Sequence, residues 1–268
     1  MIPTDVFDEI LLRLDRVERT EGVRILLAIE SGSRAWGFAS PNSDFDVRFI
    51  YARNPDWYMS VDLEDKRDVI EYPIVDDIDL NGWDVRKALR LFWRSNPAFC
   101  EWIQSPIKYR EAGEFAEKAR ALLPAVYSGD SGVHHYRNMA RTNYRGYLLG
   151  EEVRLKKYFY VLRPLLAVRW IEKYHTAPPI EFARLLHLLE GQDRLLEDIA
   201  QLLKRKTAAP ELGMSAPVPA LNAFIEAELA REGGPDKPDE RPISIEDLNR
   251  LFRAVVEETE NAPGRQAI

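Results

Sequence analysis

Val23-Arg24-Ile25-Leu26-Leu27-Ala28-Ile29-Glu30-Ser31-Gly32-Ser33, followed after ten residues by Asp44-Phe45-Asp46-Val47, joins a strand to a turn suited to anions and then to a pair of carboxylates. The aliphatic and β-branched run is long enough for one buried strand, and Ser31-Gly32-Ser33 ends it. Gly32 lets backbone N–H groups approach an anion with no Cβ in the way. Beyond the turn, Phe45 separates Asp44 from Asp46, so the period of two in a strand sends both carboxylates to one face and Phe45 and Val47 to the other. Two hard oxygen donors on one face suit Mg²⁺. Like charges at that range are costly to hold together without a cation.

A glycine-serine turn, about ten residues and then D-x-D with a hydrophobic residue after it resembles the signature of the DNA polymerase β-type nucleotidyltransferase superfamily. Gly32-Ser33-Arg34-Ala35-Trp36-Gly37-Phe38 with Ser43-Asp44-Phe45-Asp46-Val47-Arg48 narrows the likeness. Together they resemble the RlaP-like predicted nucleotidyltransferases associated with RNA-repair ligase operons. Gly82-Trp83-Asp84-Val85-Arg86-Lys87, Asn96-Pro97 with Glu101-Trp102, and Lys157-Tyr158-Phe159-Tyr160 with Arg163-Pro164-Leu165 agree with it. The resemblance implies a small mixed-sheet α/β core followed by an all-helical part. It also implies transfer of a nucleoside monophosphate from an NTP, with ATP the expected donor, and release of pyrophosphate.

On that resemblance Asp44 and Asp46 hold the nucleotide's Mg²⁺ or Mn²⁺, and Asp46 with a third carboxylate serves the acceptor in a two-ion arrangement. Asp76, Asp77, Asp79 and Asp84 are the candidates for that third group. Asp79 is preferred because Ile78 and Leu80 flank it as a strand would, whereas Asp76 and Asp77 read as a polar lead-in and Asp84 as the N-cap of a helix. Gly32 and Ser33 are assigned to the β- and γ-phosphates, with Ser43 beside them. Arg34 and Arg48 either contact phosphate oxygens or pair with Glu30 or an aspartate of the site. Trp36 and Phe38 either stack on a base or close a core.

Lys157, Tyr158 and Arg163 fall in the family's second motif and are assigned to the triphosphate, where cations stabilise the leaving pyrophosphate. Arg137 and Arg141, four residues apart and continued by Arg145, form a basic ridge that either faces a nucleic-acid acceptor or is a solvated helix face. The family context suggests an RNA end as acceptor and RNA-ligase pathway partners. Two other readings stay open: a protein AMP-transferring enzyme of toxin–antitoxin type, and a catalytically silent nucleotide- or RNA-binding regulator.

Composition bounds these readings. The 268 residues, 46% hydrophobic and 30% charged, can bury a large core, and the net charge of −7 argues against a non-specific nucleic-acid binder. Charge is unevenly spread. Ten acidic residues against Lys66 and Arg67 lie between Asn54 and Asp84, and eight basic residues against Glu151 and Glu152 between His134 and Trp170. Cys100 is the only cysteine and the four histidines are scattered, which excludes a disulfide and a cysteine-based zinc site. No run approaches a membrane span and the first residues lack signal-peptide character, so a cytoplasmic protein with no membrane partner is expected.

Periodicity predicts a helix over 4–18, strands over 47–51, 68–72 and 78–80, and helices over 84–94, 98–104 and 111–122. Residues 1–128 then form the catalytic domain and 129–268 a helical substrate- and nucleotide-binding domain. Its expected helices span 134–149, 151–174, 180–190, 194–204, 219–231 and 244–261, with loops over 208–219 and 233–242.

Overall fold

The computed structural model describes residues 2–208, 213–231, 233–234 and 242–260. The first half runs α1 (Thr4–Glu21), β1 (Arg24–Glu30), a single turn α2 (Gly32–Ala35), β2 (Phe45–Ala52), the short α3 (Pro55–Tyr58), β3 (Val69–Glu71), β4 (Ile78–Asp84), α4 (Val85–Trp93), α5 (Pro97–Ile103), β5 (Lys108–Glu111) and α6 (Phe115–Val126). The five strands form one mixed sheet in the order β3-β4-β2-β1-β5, in which β2 and β4 are parallel and the other pairs antiparallel.

Strand alternation decides what each face carries. Phe45, Val47 and Phe49 of β2 pack with Ile25 and Ala28 beneath Ile10, Leu14 and Val17 of α1. Ile50 and Ala52 point the other way, into a core with α4, α5 and α6. Asp46 and Arg48 share that second face by parity. They lie at the strand's N-terminal end, and the aliphatic core of this face begins at Ile50. Gly82 of β4 is required by packing: an added Cβ would sit 2.1 Å from Phe49 Cε2.

The second half contains α7 (Gly129–Tyr147), β6 (Val153–Arg154), α8 (Lys157–Tyr174), a 3₁₀ segment over Phe182–Leu189, α9 (Asp193–Ala208), β7 (Met214–Ser215), α10 (Pro219–Ala230) and α11 (Ile245–Glu260). It corrects several expectations. α7 starts at Gly129 rather than at the expected 134, because Ser128 caps it by accepting from the Ser131 amide at 3.1 Å. Residues 151–156 are not helical. Val153 and Leu155 are buried and Arg154 exposed, the alternation of a strand, and β6 pairs with β7. Residues 182–189 form a 3₁₀ rather than an α-helix.

Strand β5 was not predicted, since Tyr109 is its one buried residue. Parts of the expected loops 208–219 and 233–242, and residue 261 of the last expected helix, lie outside the described residues. No helix among the described residues is long and apolar enough to cross a membrane.

The two halves interleave. Phe38, from the loop between α2 and β2, enters the core of the helical half against Phe159 and Phe182, at centroid distances of 4.8 and 5.6 Å. In the other direction, Leu248, Leu251 and Val255 of α11 join the core built on β1, β2 and α4.

Candidate active site

The turn after β1 is built against β2. Gly32 has φ +59°, and a Cβ there would lie 1.9 Å from Asp46 Oδ2, so only glycine leaves room for that carboxylate. The Ser31 amide donates to Asp46 O at 2.8 Å, locking turn to strand. Arg34 closes the other side. Its guanidinium donates to the Ser43 and Asp44 carbonyl oxygens at 2.6 and 3.2 Å, stacks 3.9 Å over Phe45, and lies 3.9 Å from Glu30.

Parallel pairing of β2 and β4 sets Asp46 directly opposite Asp79. Asp76 and Asp77, the rejected candidates, occupy the preceding turn with φ +54° and +59°. Asp84 caps α4 by accepting from the Arg86 amide at 2.8 Å. Arg48, two residues beyond Asp46 on the same face, lies between the two aspartates: Nη2 donates to Asp46 Oδ1 at 3.0 Å and Asp79 Oδ2 at 2.7 Å. Asp44 sits just before the strand and is exposed. Burial pushes the Asp46 carboxyl above its ordinary range; Arg48 opposes the shift, and Asp79 and Asp44 add to it.

Glu30 completes the frame, and its part in it was not foreseen. It is fully buried at the end of β1, accepting from the Asp46 amide at 3.0 Å and from the Tyr109 hydroxyl at 2.6 Å. Burial pushes it up to about 7, against both hydrogen bonds. An acid closing an aliphatic run was its only signal in the sequence. Tyr160 was likewise passed over, although it lies in a quoted motif. Its hydroxyl is pushed up by burial and then by the charges of Asp46 and Asp44.

The model of the RNA repair pathway DNA polymerase beta family matches residues 6–254. The chain belongs to this RlaP family. A Bacillus subtilis (strain 168) relative, the "Uncharacterized protein YcgL", is 47% identical over 251 residues, covering 93% of this chain and 96% of its own. Among solved structures, a nucleotidyltransferase-like protein from Exiguobacterium sibiricum 255-15 aligns over 87% of this chain and 69% of its own, at 13% identity and a TM-score of 0.27. By its family match, the chain carries a polymerase β-like nucleotidyltransferase core on this mixed sheet, with a largely helical part after it.

The remaining residues singled out in the RlaP motifs separate in space. Lys157 lies 4.7 Å from the Tyr160 ring and 4.0 Å from that of Tyr147. The Tyr158 hydroxyl is bound to Asn222 Oδ1 at 2.6 Å and to the Val218 amide at 2.9 Å, inside the helical half. Arg163 is 2% exposed, its guanidinium on Glu101 Oε1 at 3.0 Å and on Ile180 O at 3.2 Å. Trp36 lies 4.7 Å from that guanidinium and edge-on to Tyr160 at 5.3 Å, so it joins the turn to α8. Arg137 binds Glu172 at 3.1 Å and the Gly233 carbonyl, while among the described residues Arg141 reaches Asn138 at 3.5 Å.

Proposed function

We propose that this chain is a metal-dependent nucleotidyltransferase that moves a nucleoside monophosphate from an NTP, ATP first among candidates, to an acceptor, with an RNA end the acceptor that the family's RNA-repair description favours. The observation that carries the reading is the seating of Asp46 against the Gly32 turn and opposite Asp79 in one strand register. An acceptor oxygen attacks the α-phosphorus, and the bond to the bridging oxygen of the β-phosphate breaks. The electron pair leaves with pyrophosphate, and the acceptor's proton passes to a base or to water.

The donor set fits a hard cation. Asp44 and Asp46 would offer oxygen ligands at a site where burial, and after it the neighbouring Asp79 and Asp44, push Asp46 up against the opposing Arg48, and Mg²⁺ is commonly held by one or two carboxylates completed by substrate phosphates. When bound, the ion neutralises phosphate charge. Gly32 and Ser33 line the phosphates' approach, Glu30 and Arg34 hold the turn and the start of β2 in register, and Lys157 on the rim adds positive charge for the leaving group. Arg163 supports the reading from beneath: bound to Glu101, it carries Trp36 and through it the turn.

Incubation of the full chain with each α-labelled NTP, Mg²⁺ or Mn²⁺, and pooled RNA and protein acceptors tests the proposal. Label on RNA with pyrophosphate released is the expected result. Label on protein would favour the AMP-transferring alternative, and nucleotide binding with no pyrophosphate from any NTP would favour the silent regulator.

A further inference from the structure

The two acidic flanks of Asp46 are not equivalent. Asp44 is exposed, and none of the described residues forms an ion pair or hydrogen bond with its carboxylate. Asp79 is already engaged. Arg48 Nη2 spans Asp46 Oδ1 and Asp79 Oδ2 at 3.0 and 2.7 Å, while Nη1 donates to the backbone oxygens of Val47 and Asp79 at 3.1 and 2.9 Å.

Two of those acceptors are main-chain atoms of paired strands, fixed whatever ligand is present. The guanidinium is therefore held by the sheet as well as by charge, and its side chain is only 18% exposed. Moving it aside would break its two charge-assisted bonds to the aspartates and its two bonds to backbone oxygens, an exchange that a second ion would have to offset. Among the described residues, no group of three or more His, Cys, Asp or Glu stands ready to hold a metal.

We infer that Arg48 is the resident cation of the Asp46–Asp79 pair, so that this chain seats one divalent ion, on Asp44 and Asp46 with the nucleotide phosphates, in place of two. The inference rests on the nucleotidyltransferase reading and refines it. Asp79 then acts by anchoring Arg48 and by facing the acceptor, and Arg48 supplies on the acceptor side the positive charge of the absent second ion. The arrangement is local in sequence: Asp46 and Arg48 share a face through the strand period, and pairing delivers Asp79.

Manganese stoichiometry, read by electron paramagnetic resonance during titration of the full chain saturated with α,β-methylene-ATP, tests it. The wild type should bind one Mn²⁺ per chain. Arg48→Gln should bind two, Arg48→Lys should stay at one, and Asp79→Asn added to Arg48→Gln should return the count to one. Melting in EDTA gives a second readout: Arg48→Gln should melt lower than Arg48→Lys and recover with Mn²⁺, because the bared aspartates repel. Two ions on the wild type, or a folded Arg48→Gln that still holds one, would overturn the inference while leaving nucleotidyl transfer standing. If the wild type binds nucleotide and manganese in no combination, the underlying reading falls and the inference falls with it.

Discussion

Two arginine–carboxylate contacts, Arg48 with Asp46 and Asp79 and Arg163 with Glu101, differ in burial. At the ledge, Arg48 meets Asp46 and Asp79 with side chains 18%, 30% and 29% exposed. Inside, Arg163 meets Glu101 with side chains 3% and 10% exposed, and Tyr136 donates to the same carboxylate oxygen at 3.0 Å. Solvent at the ledge screens these charges, so a phosphate or an ion on Asp44 can exchange with water beside the pair while Arg48 stays on its aspartates. The interior contact excludes such exchange, because a lone charge there would be stranded in a low dielectric. Residue type alone does not separate a chemical arginine from a structural one; the packing around it does.

The contrast breaks most visibly at the buried pair. Arg163→Ala should destabilise the fold by about 3–5 kcal/mol by leaving Glu101 unpaired, and adding Glu101→Gln should recover part of that loss. Urea unfolding of the single and double variants checks it. An unchanged midpoint in Arg163→Ala would erase the distinction between the two contacts.

A buried carboxylate with no arginine on it sharpens the same comparison. Asp84 is 4% exposed and hydrogen-bonded to the Tyr58 hydroxyl at 2.9 Å, and burial pushes it up to about 6. A folded-state value above the unfolded one means that the stability Asp84 contributes is full below pH ~4 and is lost as pH rises through about 6. Asparagine keeps an acceptor for the α4 cap. Asp84→Asn should therefore flatten stability between pH 4 and 6.5, and at pH 7 it should be more stable than the wild type by up to about 2–3 kcal/mol. Urea unfolding across that range would show a retained slope if the carboxylate is not the titrating group.

At the ledge, Gly32→Val should act on binding more than on folding. The added Cβ collides with Asp46 Oδ2 and forces a β-branched residue to φ +59°, a strain of about 1–3 kcal/mol. Calorimetry should show Mg²⁺–NTP affinity reduced about tenfold or more. Undiminished affinity in a folded variant would detach the turn from the phosphates.

Much of the sheet was legible from local pattern. The aliphatic run of β1 and the apolar neighbours of Asp79 each carry their own period, and the strand register then aligns Asp46 with Asp79, while Asp44, expected on the same strand, falls just before β2. What escaped depends on distant partners. Glu30 is buried under Tyr109, 79 residues away, and Tyr109 is the one inward residue of an edge strand too polar to recognise. Arg163 reads as substrate-facing in a motif, yet its partner Glu101 lies 62 residues earlier and meets it because α5 packs on α7, which packs along α8. A helix buried all round, as α8 nearly is, shows no apolar stripe to reveal which of its charges point inward.

On the proposed function, the chemistry takes place at the Asp46 ledge. Wild type and Asp46→Asn should be compared for pyrophosphate released and label transferred from the NTP that the acceptor screen identifies, with melting temperature measured on the same samples. The account predicts equal molar release and transfer in the wild type. In the variant both should fall at least about 10²–10³-fold, with melting little changed or raised because a repelling charge is gone. Turnover in Asp46→Asn equal to that of the wild type would contradict it.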